Sequence, residues 1–397
     1  MSNGRTEIDL PVGYHAFHSE QLFNYQLNRW HSFGYARFED MEEAGRRISD
    51  FDDWKRVMVE LAERAEREGR LMNAAFYYRA AEFYTFRDDP DKEPLYHKFS
   101  ELFYEVFGGG GLERFDVPYV GSFLPALRLR AAAGSGTAGD GEVGAGGEAG
   151  AAKGVIVMHG GFDSYIEEFY SWMLYLSNHG YDVVAFEGPG QGAARKRHGL
   201  ALDYRWEKPA KAVLDHFSLE DVTWLGISMG GYFCFRAAAF EPRISRVIAS
   251  GIAYDYMQFP PKIFQWMMFL FFDHLRDFSN RLTIKKMQKD GMHRWTLENL
   301  MYITDTETPM DAFDVARELN ADNLHSELVE QDVLILTGRD DHFIPFKMHR
   351  MQVEALTSAR SVTERVFTKE TEAQNHCQNG NFGLALKEMT EWIEMKR

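Results

Sequence analysis

From residue 155 onward the chain alternates short apolar runs with helical stretches, and this rhythm leaves few folds open. Residues 155–158, 182–186, 222–226, 246–250 and 333–337 are runs of the kind buried on both faces of a parallel sheet. Between them, 168–178, 208–216 and 229–240 carry helical periodicity. Parallel strands need helical crossovers, so the pattern predicts an α/β fold: a mostly parallel, doubly wound sheet with its chemistry on loops at the strand C-termini. The alternation breaks at 255–328, which is rich in aromatic residues and methionine and helical in pattern. Lying between two sheet strands, it reads as a helical cap insertion. Residues 111–254 and 329–397 then form the two parts of the core.

The region ahead of the sheet, residues 1–110, reads as a helical domain. Apolar residues recur every three to four positions over 54–86, and Gly69 falls where one helix would stop and an antiparallel partner begin. The pair has a superficial likeness to a tetratricopeptide unit but no fixed repeat period. Its aromatic helices suit a lid or a homodimer interface. Residues 114–119 and 124–131 should form a hairpin entering the sheet. The Gly/Ala stretch 132–154 cannot bury a core and reads as a surface-loop insertion.

Composition excludes several classes. With 44 Lys+Arg against 60 Asp+Glu the net charge is −16, and no basic block suggests nucleic acid as a partner. Two cysteines, Cys234 and Cys377, cannot supply a disulfide scaffold or a Cys-based zinc site. The fourteen histidines include no H-x-H or H-E-x-x-H pair, so no metal is expected. No other cofactor is expected either. The first residues carry no apolar signal stretch, and the run IFQWMMFLFF is about half the length a membrane span requires. A cytoplasmic protein is expected.

One motif carries nucleophile chemistry. Gly226-Ile227-Ser228-Met229-Gly230 follows the strand VTWLG and opens a helix, the strand–turn–helix setting of a G-x-S-x-G elbow. The neighbouring positions must be small for strand and helix to approach, and the helix N-terminus offers free N–H groups beside Ser228. An oxyanion needs two such donors. Met229 is one; the other should come from Gly161 or Phe162 in the turn His159-Gly160-Gly161-Phe162, and sequence does not choose between them. His159 reads as a brace for that loop. Asp341, three residues past Gly338 at the end of strand DVLILTG, is the candidate acid, with Asp340 and Asp255 as rivals. His376, the only histidine between the last strand and the final helix, is the candidate base.

Other signals carry less. Gly188-Pro189-Gly190-Gln191-Gly192 has the wrong spacing for a dinucleotide site, and no clear helix is expected at its third glycine. Arg195 to His198 reads as a solvated basic loop, or as a contact for an anionic substrate group at a cleft rim. Met267, Met268, Phe271 and Phe272 are either core packing of the cap or an apolar substrate pocket. Tyr254 and Tyr256 are substrate contacts by position.

The segments HGGFDSYIEEFY, FEGPGQG, GISMGGY, GRDDHFIP and NHCQNGNFG, behind the helical pattern GRLMNAAFYYRAAEFYTF, resemble one branch of the α/β-hydrolase superfamily. That branch includes 2,6-dihydroxypseudooxynicotine hydrolase and the fungal polyketide-shortening hydrolases. The resemblance implies an α/β-hydrolase fold with Ser228 as nucleophile, Asp341 as acid and His376 as base. Some members cleave a carbon–carbon bond beside a ketone and many relatives cleave esters. The expected enzyme is therefore a serine hydrolase acting through an acyl-enzyme on a small, apolar or aromatic carbonyl substrate. An acyltransferase or cyclase using the same residues is the alternative, and a non-catalytic binding protein a more distant one. The long cap and the 132–154 loop depart from the family pattern and bear on substrate rather than chemistry.

Overall fold

The computed structural model describes residues 7–132, 152–259, 267 and 271–397. Most of the Gly/Ala stretch, and Met268, lie outside the described residues. Five helices come first: α1 (Gln21–Ser32), α2 (Phe38–Arg47), α3 (Phe51–Arg67), α4 (Leu71–Tyr84) and α5 (Lys92–Phe107). The Asp50 side chain caps α3 by accepting from Asp53 N. Trp54, Val57, Met58, Leu61 and Ala65 follow at helical spacing and are all buried. Gly69, at φ +73°, makes the turn into α4. Burial in α4 is continuous from Asn73 to Tyr84 and includes Arg79 and Glu82.

Many of the aromatic side chains of these helices are buried within the chain. Trp30, Trp54, Phe76, Tyr77 and Tyr84 belong to the same apolar cluster as Leu225, Ile227 and Leu336 of the sheet. The N-terminal helices therefore share a core with the strands.

The sheet has eight strands: β1 (Leu112–Tyr119), β2 (Ser122–Leu129), β3 (Gly154–His159), β4 (Tyr181–Phe186), β5 (Val222–Ile227), β6 (Ile244–Ser250), β7 (Asp332–Gly338) and β8 (Ser361–Phe367). Their order is β1-β2-β4-β3-β5-β6-β7-β8, with β2 antiparallel to both neighbours and every later pair parallel. The hairpin strands start two residues earlier than sequence suggested. Val120 and Gly121, both at positive φ, form the two-residue turn whose twist fits a hairpin. His159 pairs with Gly226, and Ser250 with Leu336, so the C-termini of β3, β5, β6 and β7 reach one edge together.

Helices α6 (Tyr170–Asn178), α7 (Gly192–Lys196), α8 (Glu207–Phe217) and α9 (Gly230–Phe240) connect the early strands. Between β6 and β7 come α10 (Arg276–Met287), α11 (Gly291–Thr304), α12 (Pro309–Arg317) and α13 (Ala321–Leu324). After β7, α14 (Lys347–Ala355) and α15 (Phe382–Met395) complete the chain.

Two expectations are corrected. A short helix, α7, does begin at Gly192, because Glu187 accepts from Ala193 N at 2.5 Å and holds its first turn. The basic cluster is a clamp rather than a solvated loop. Arg195 Nε donates to Tyr302 O at 2.7 Å in α11, its guanidinium also pairs with Asp305, and Lys196 meets Glu93 at 2.6 Å in α5.

Candidate active site

Ser228 sits between β5 and α9 at φ +62°, a left-handed conformation that costs energy for a residue with a side chain. The turn is held from both sides: Ser228 N donates to Ser250 O at 2.9 Å, and Ser228 O accepts from Gly231 N at 2.8 Å. Close approach explains the glycines. A methyl at Gly226 would fall 2.0 Å from Gly230 O, and one at Gly231 would fall 2.0 Å from Gly251 O. The strand and helix thus meet with no space for side chains, and Ser228 is pushed out at the strand edge.

His376 and Asp341 meet the serine from distant loops. His376 Nε2 lies 2.8 Å from Ser228 Oγ and Nδ1 lies 2.7 Å from Asp341 Oδ2. The other carboxylate oxygen accepts from Phe343 N at 2.8 Å and Ile344 N at 2.9 Å, fixing its plane. Burial alone would raise the Asp341 pKa, but His376 beside it and these two N–H groups hold it below the usual range. Burial alone would lower the His376 pKa; the adjacent Asp341 carboxylate reverses that and holds it well above 6.5. Of the rival acids, Asp340 is half exposed and faces Lys369 at 3.6 Å. Asp255 caps a 3-10 turn by accepting from Met257 N at 2.8 Å.

The histidine loop is anchored by its neighbours. Cys377 Sγ donates to Ser250 O at 3.3 Å, and Ser250 Oγ bonds Gln378 Oε1 at 2.8 Å. From α1, the Tyr25 hydroxyl donates to His376 O at 3.4 Å, and Tyr25 O accepts from Asn379 Nδ2 at 2.9 Å.

The turn after β3 lies against the serine. A methyl on Gly161 would sit 2.8 Å from Met229 N and 3.1 Å from Ser228 Cβ. Gln191 Nε2 donates to Gly160 O at 2.6 Å and Gly161 O at 3.2 Å, and Asn299 Nδ2 donates to Phe162 O at 3.1 Å. No peptide here is cis, so the N–H groups of Gly161 and Phe162 point away from Gln191. Neither they nor Met229 N–H have an acceptor among the described residues. The Gly-Pro-Gly-Gln-Gly motif thus supplies the clamp for this turn, which its spacing did not reveal. His159 is fully buried, accepts from Trp224 Nε1 at 2.9 Å, and is pushed down to about 3 by burial, so it stays neutral in the core.

A cavity of about 730 Å³ opens over Ser228 and His376. Its apolar lining comes partly from the cap, including Trp295, Leu297, Leu300 and Phe313, and partly from the N-terminal helices and the sheet-edge loops. Of the sequence candidates, Tyr256 and Phe272 line it together with Gly161, Phe162 and Met229, whereas Tyr254, Met267 and Phe271 do not. Tyr254 instead packs with Ala253, Ile344 and Met348. Parts of the wall missed from sequence include the cap residues Trp295, Leu297, Leu300 and Phe313 and, from the N-terminal helices and the β3 loop, Tyr25, Gln26, Arg29, Tyr84 and Asp163. No periodicity marks those on α1 and α4, because both helices are buried nearly all round.

A family model described as the alpha/beta hydrolase fold matches residues 154–369. Hydrolase acrC of Aspergillus aculeatus is 31% identical over 207 residues, 47% of this chain and 47% of that protein. Alpha/beta hydrolase psoB of Aspergillus fumigatus is 26% identical over 276 residues, 61% of this chain and 60% of that one. The matches thus span about half the length of these relatives. Among solved structures, 2,6-dihydroxy-pseudo-oxynicotine hydrolase superposes with a TM-score of 0.62 at 21% identity, covering 92% of this chain and 94% of the other. AbyA5 superposes with a TM-score of 0.62 at 19% identity, covering 91% and 90%. Both likenesses concern the fold. Among the described residues no helix is long and apolar enough to cross a membrane.

Proposed function

The chain belongs to the alpha/beta hydrolase fold family, and on that premise we propose that it is a serine hydrolase that cleaves a small carbonyl substrate through an acyl-enzyme. One observation carries the reading: an unbroken hydrogen-bonded chain, Ser228–His376–Asp341, at a cavity whose walls are mostly apolar.

His376 Nε2 takes the proton of Ser228 as Oγ attacks the carbonyl carbon. Asp341 holds the Nδ1–H tautomer and stabilises the imidazolium without taking its proton. Negative charge grows on the carbonyl oxygen, which the N–H groups of Met229 and of Gly161 or Phe162 are placed to receive. The leaving group departs with the proton from His376, and water, activated by the same imidazole, releases the acid. If the scissile bond is C–O the leaving group is an alcohol. If it is C–C, the departing carbon must be stabilised as an enolate or phenolate-type carbanion, which restricts such substrates to β-diketones or acyl phenols. The apolar cavity suits either, as a small-molecule, aromatic or aliphatic acyl compound.

Intact mass after exposure to a fluorophosphonate, on wild type and on Ser228→Ala, tests the nucleophile. One adduct in wild type and none in the variant is the expected result; no adduct on folded wild type overturns it. A panel of aryl esters and β-diketones in heavy-oxygen water then decides the acceptor. Label in the acid means hydrolysis, whereas unlabelled acyl product means transfer or cyclisation.

A further inference from the structure

Helix α10 of the cap faces two ways. Its inner side is fixed: Arg276 pairs with Asp314 at 2.7 Å, Asn280 Oδ1 accepts from Met310 N at 3.0 Å, and Ser279 Oγ donates to Phe271 O at 3.0 Å. Thr283 and Lys286 line the cavity over Ser228, and Lys286 is also exposed, so the helix stands at the cavity mouth. The outer side meets solvent. Leu275, Phe278, Leu282 and Ile284 are 43%, 48%, 56% and 43% exposed, although elsewhere among the described residues large apolar side chains are exposed singly or in pairs. At helical spacing Phe278, Arg281, Leu282 and Lys285 share one face, with Lys289 just past its end, so apolar and cationic groups interleave.

The cations on this side are uncompensated. Arg281, Lys285, Lys286 and Lys289 pair with no acid among the described residues, in a chain with 60 Asp+Glu against 44 Lys+Arg. Nearby acids are engaged: Asp273 pairs with Arg317 at 2.8 Å, and the Asp290 side chain caps α11 by accepting from Met292 N and His293 N. Asp277 is the one exposed acid of the helix. A helix C-terminus favours Lys285 and Lys286, but that does not account for Arg281, nor for Phe278 and Leu282 in water. The occupant that matches is anionic and apolar at nearly the same depth. The headgroup boundary of a bilayer is such a place, where Lys and Arg meet phosphates while Phe and Leu enter the acyl edge. A protein partner needs a wider complementary surface than one convex helix presents.

We propose that the outer face of α10 docks the protein onto an anionic lipid surface, so that a carbonyl substrate dissolved in the bilayer passes into the apolar cavity. Docking is independent of the serine-hydrolase reading; delivery to Ser228 rests on it.

Co-sedimentation with vesicles of equal parts phosphatidylcholine and phosphatidylglycerol tests the docking. Wild type is expected to bind them, to bind phosphatidylcholine vesicles at least about tenfold more weakly, and to be released by added salt. Lys285→Gln with Lys289→Gln should lower partitioning about 25-fold, each cation near the surface being worth about fivefold. Phe278→Ser with Leu282→Ser should lower it at least about tenfold. Lys387→Gln, a surface lysine of α15 paired with Glu391 at 3.7 Å, should change nothing. No binding by wild type, equal binding to both vesicles, or binding indifferent to both double variants overturns the docking. A dimer that ignores vesicles and is split by Phe278→Ser with Leu282→Ser assigns the face to a second copy and overturns it too. Both double variants should hydrolyse a water-soluble aryl ester like wild type, whereas turnover of nitrophenyl palmitate held in the vesicles should fall with binding. Vesicle turnover that survives the loss of binding overturns the delivery. Failure of wild type to label with fluorophosphonate while vesicle binding is intact overturns the nucleophile and spares the docking.

Discussion

Replacing Asp341 by asparagine tests how the imidazole is held, because the surroundings dictate how the new amide must sit. In the native site one carboxylate oxygen accepts two backbone N–H groups, from Phe343 and Ile344, and the other faces His376 Nδ1 at 2.7 Å. An asparagine that keeps both backbone bonds turns its NH2 toward Nδ1. That orientation retains two bonds, each worth about 1 kcal/mol net, whereas the flipped one sets NH2 donors against N–H donors and loses both. The NH2 then forces Nδ1 to accept, the ring proton moves to Nε2, and the nitrogen 2.8 Å from Ser228 Oγ can no longer take a proton. Loss of the correct tautomer should slow acylation about 10⁴-fold, equivalent to about 5 kcal/mol of barrier. The assay is the second-order rate of fluorophosphonate labelling, followed by intact mass, with the thermal midpoint as a folding control. A folded Asp341→Asn protein that labels within about tenfold of wild type refutes the assignment of Asp341 and the hydrogen-bond reasoning behind it.

Three further outcomes are expected. Labelling should rise with pH along a limb whose midpoint lies above 6.5, because Asp341 raises the His376 pKa and the base must first lose its proton; a midpoint at or below 6.5 contradicts this. The same shift stabilises the fold fully below the unfolded value of about 6.5, and that contribution is lost as pH rises through the raised folded value. Gly161→Ala should reduce turnover about 10²- to 10³-fold and also lower the thermal midpoint, since its methyl would fall 2.8 Å from Met229 N, so that the backbone carrying an oxyanion donor must shift; ester hydrolysis at the wild-type rate would contradict it. Arg79→Leu should destabilise the fold by about 3–5 kcal/mol in chemical denaturation, because it leaves the buried Glu82 and Glu168 short of a cation.

Local chemistry made much of this legible in the chain itself. The alternation of apolar runs and helices dictates a parallel sheet, because strands buried on both faces can tolerate no polar period. The glycines around Ser228 announce the elbow, since only there must a strand and a helix touch without side chains. His376 stands out as the only histidine on its loop, and the branch of the family is written in contiguous segments.

What the sequence left open depends on groups brought together across the fold. Asp340 and Asp341 are equivalent in composition and neighbours in the chain; the turn after β7 sends one toward His376 and the other toward Lys369. Gly161 and Phe162 could not be ranked as donors, and Gln191 went unread, because the direction of a peptide N–H is set by what holds its carbonyl 30 residues away. The pocket shows the limit most clearly. The cap's Met and Phe run suggested its lining, yet Met267 and Phe271 lie outside it while Gln26, Tyr84 and Asp163 lie within. Covalent order and periodicity settle which residues share a strand or a helix face. Which face closes over Ser228 is settled by packing α1, α4 and the cap against the sheet edge, and those contacts exist only in the folded chain.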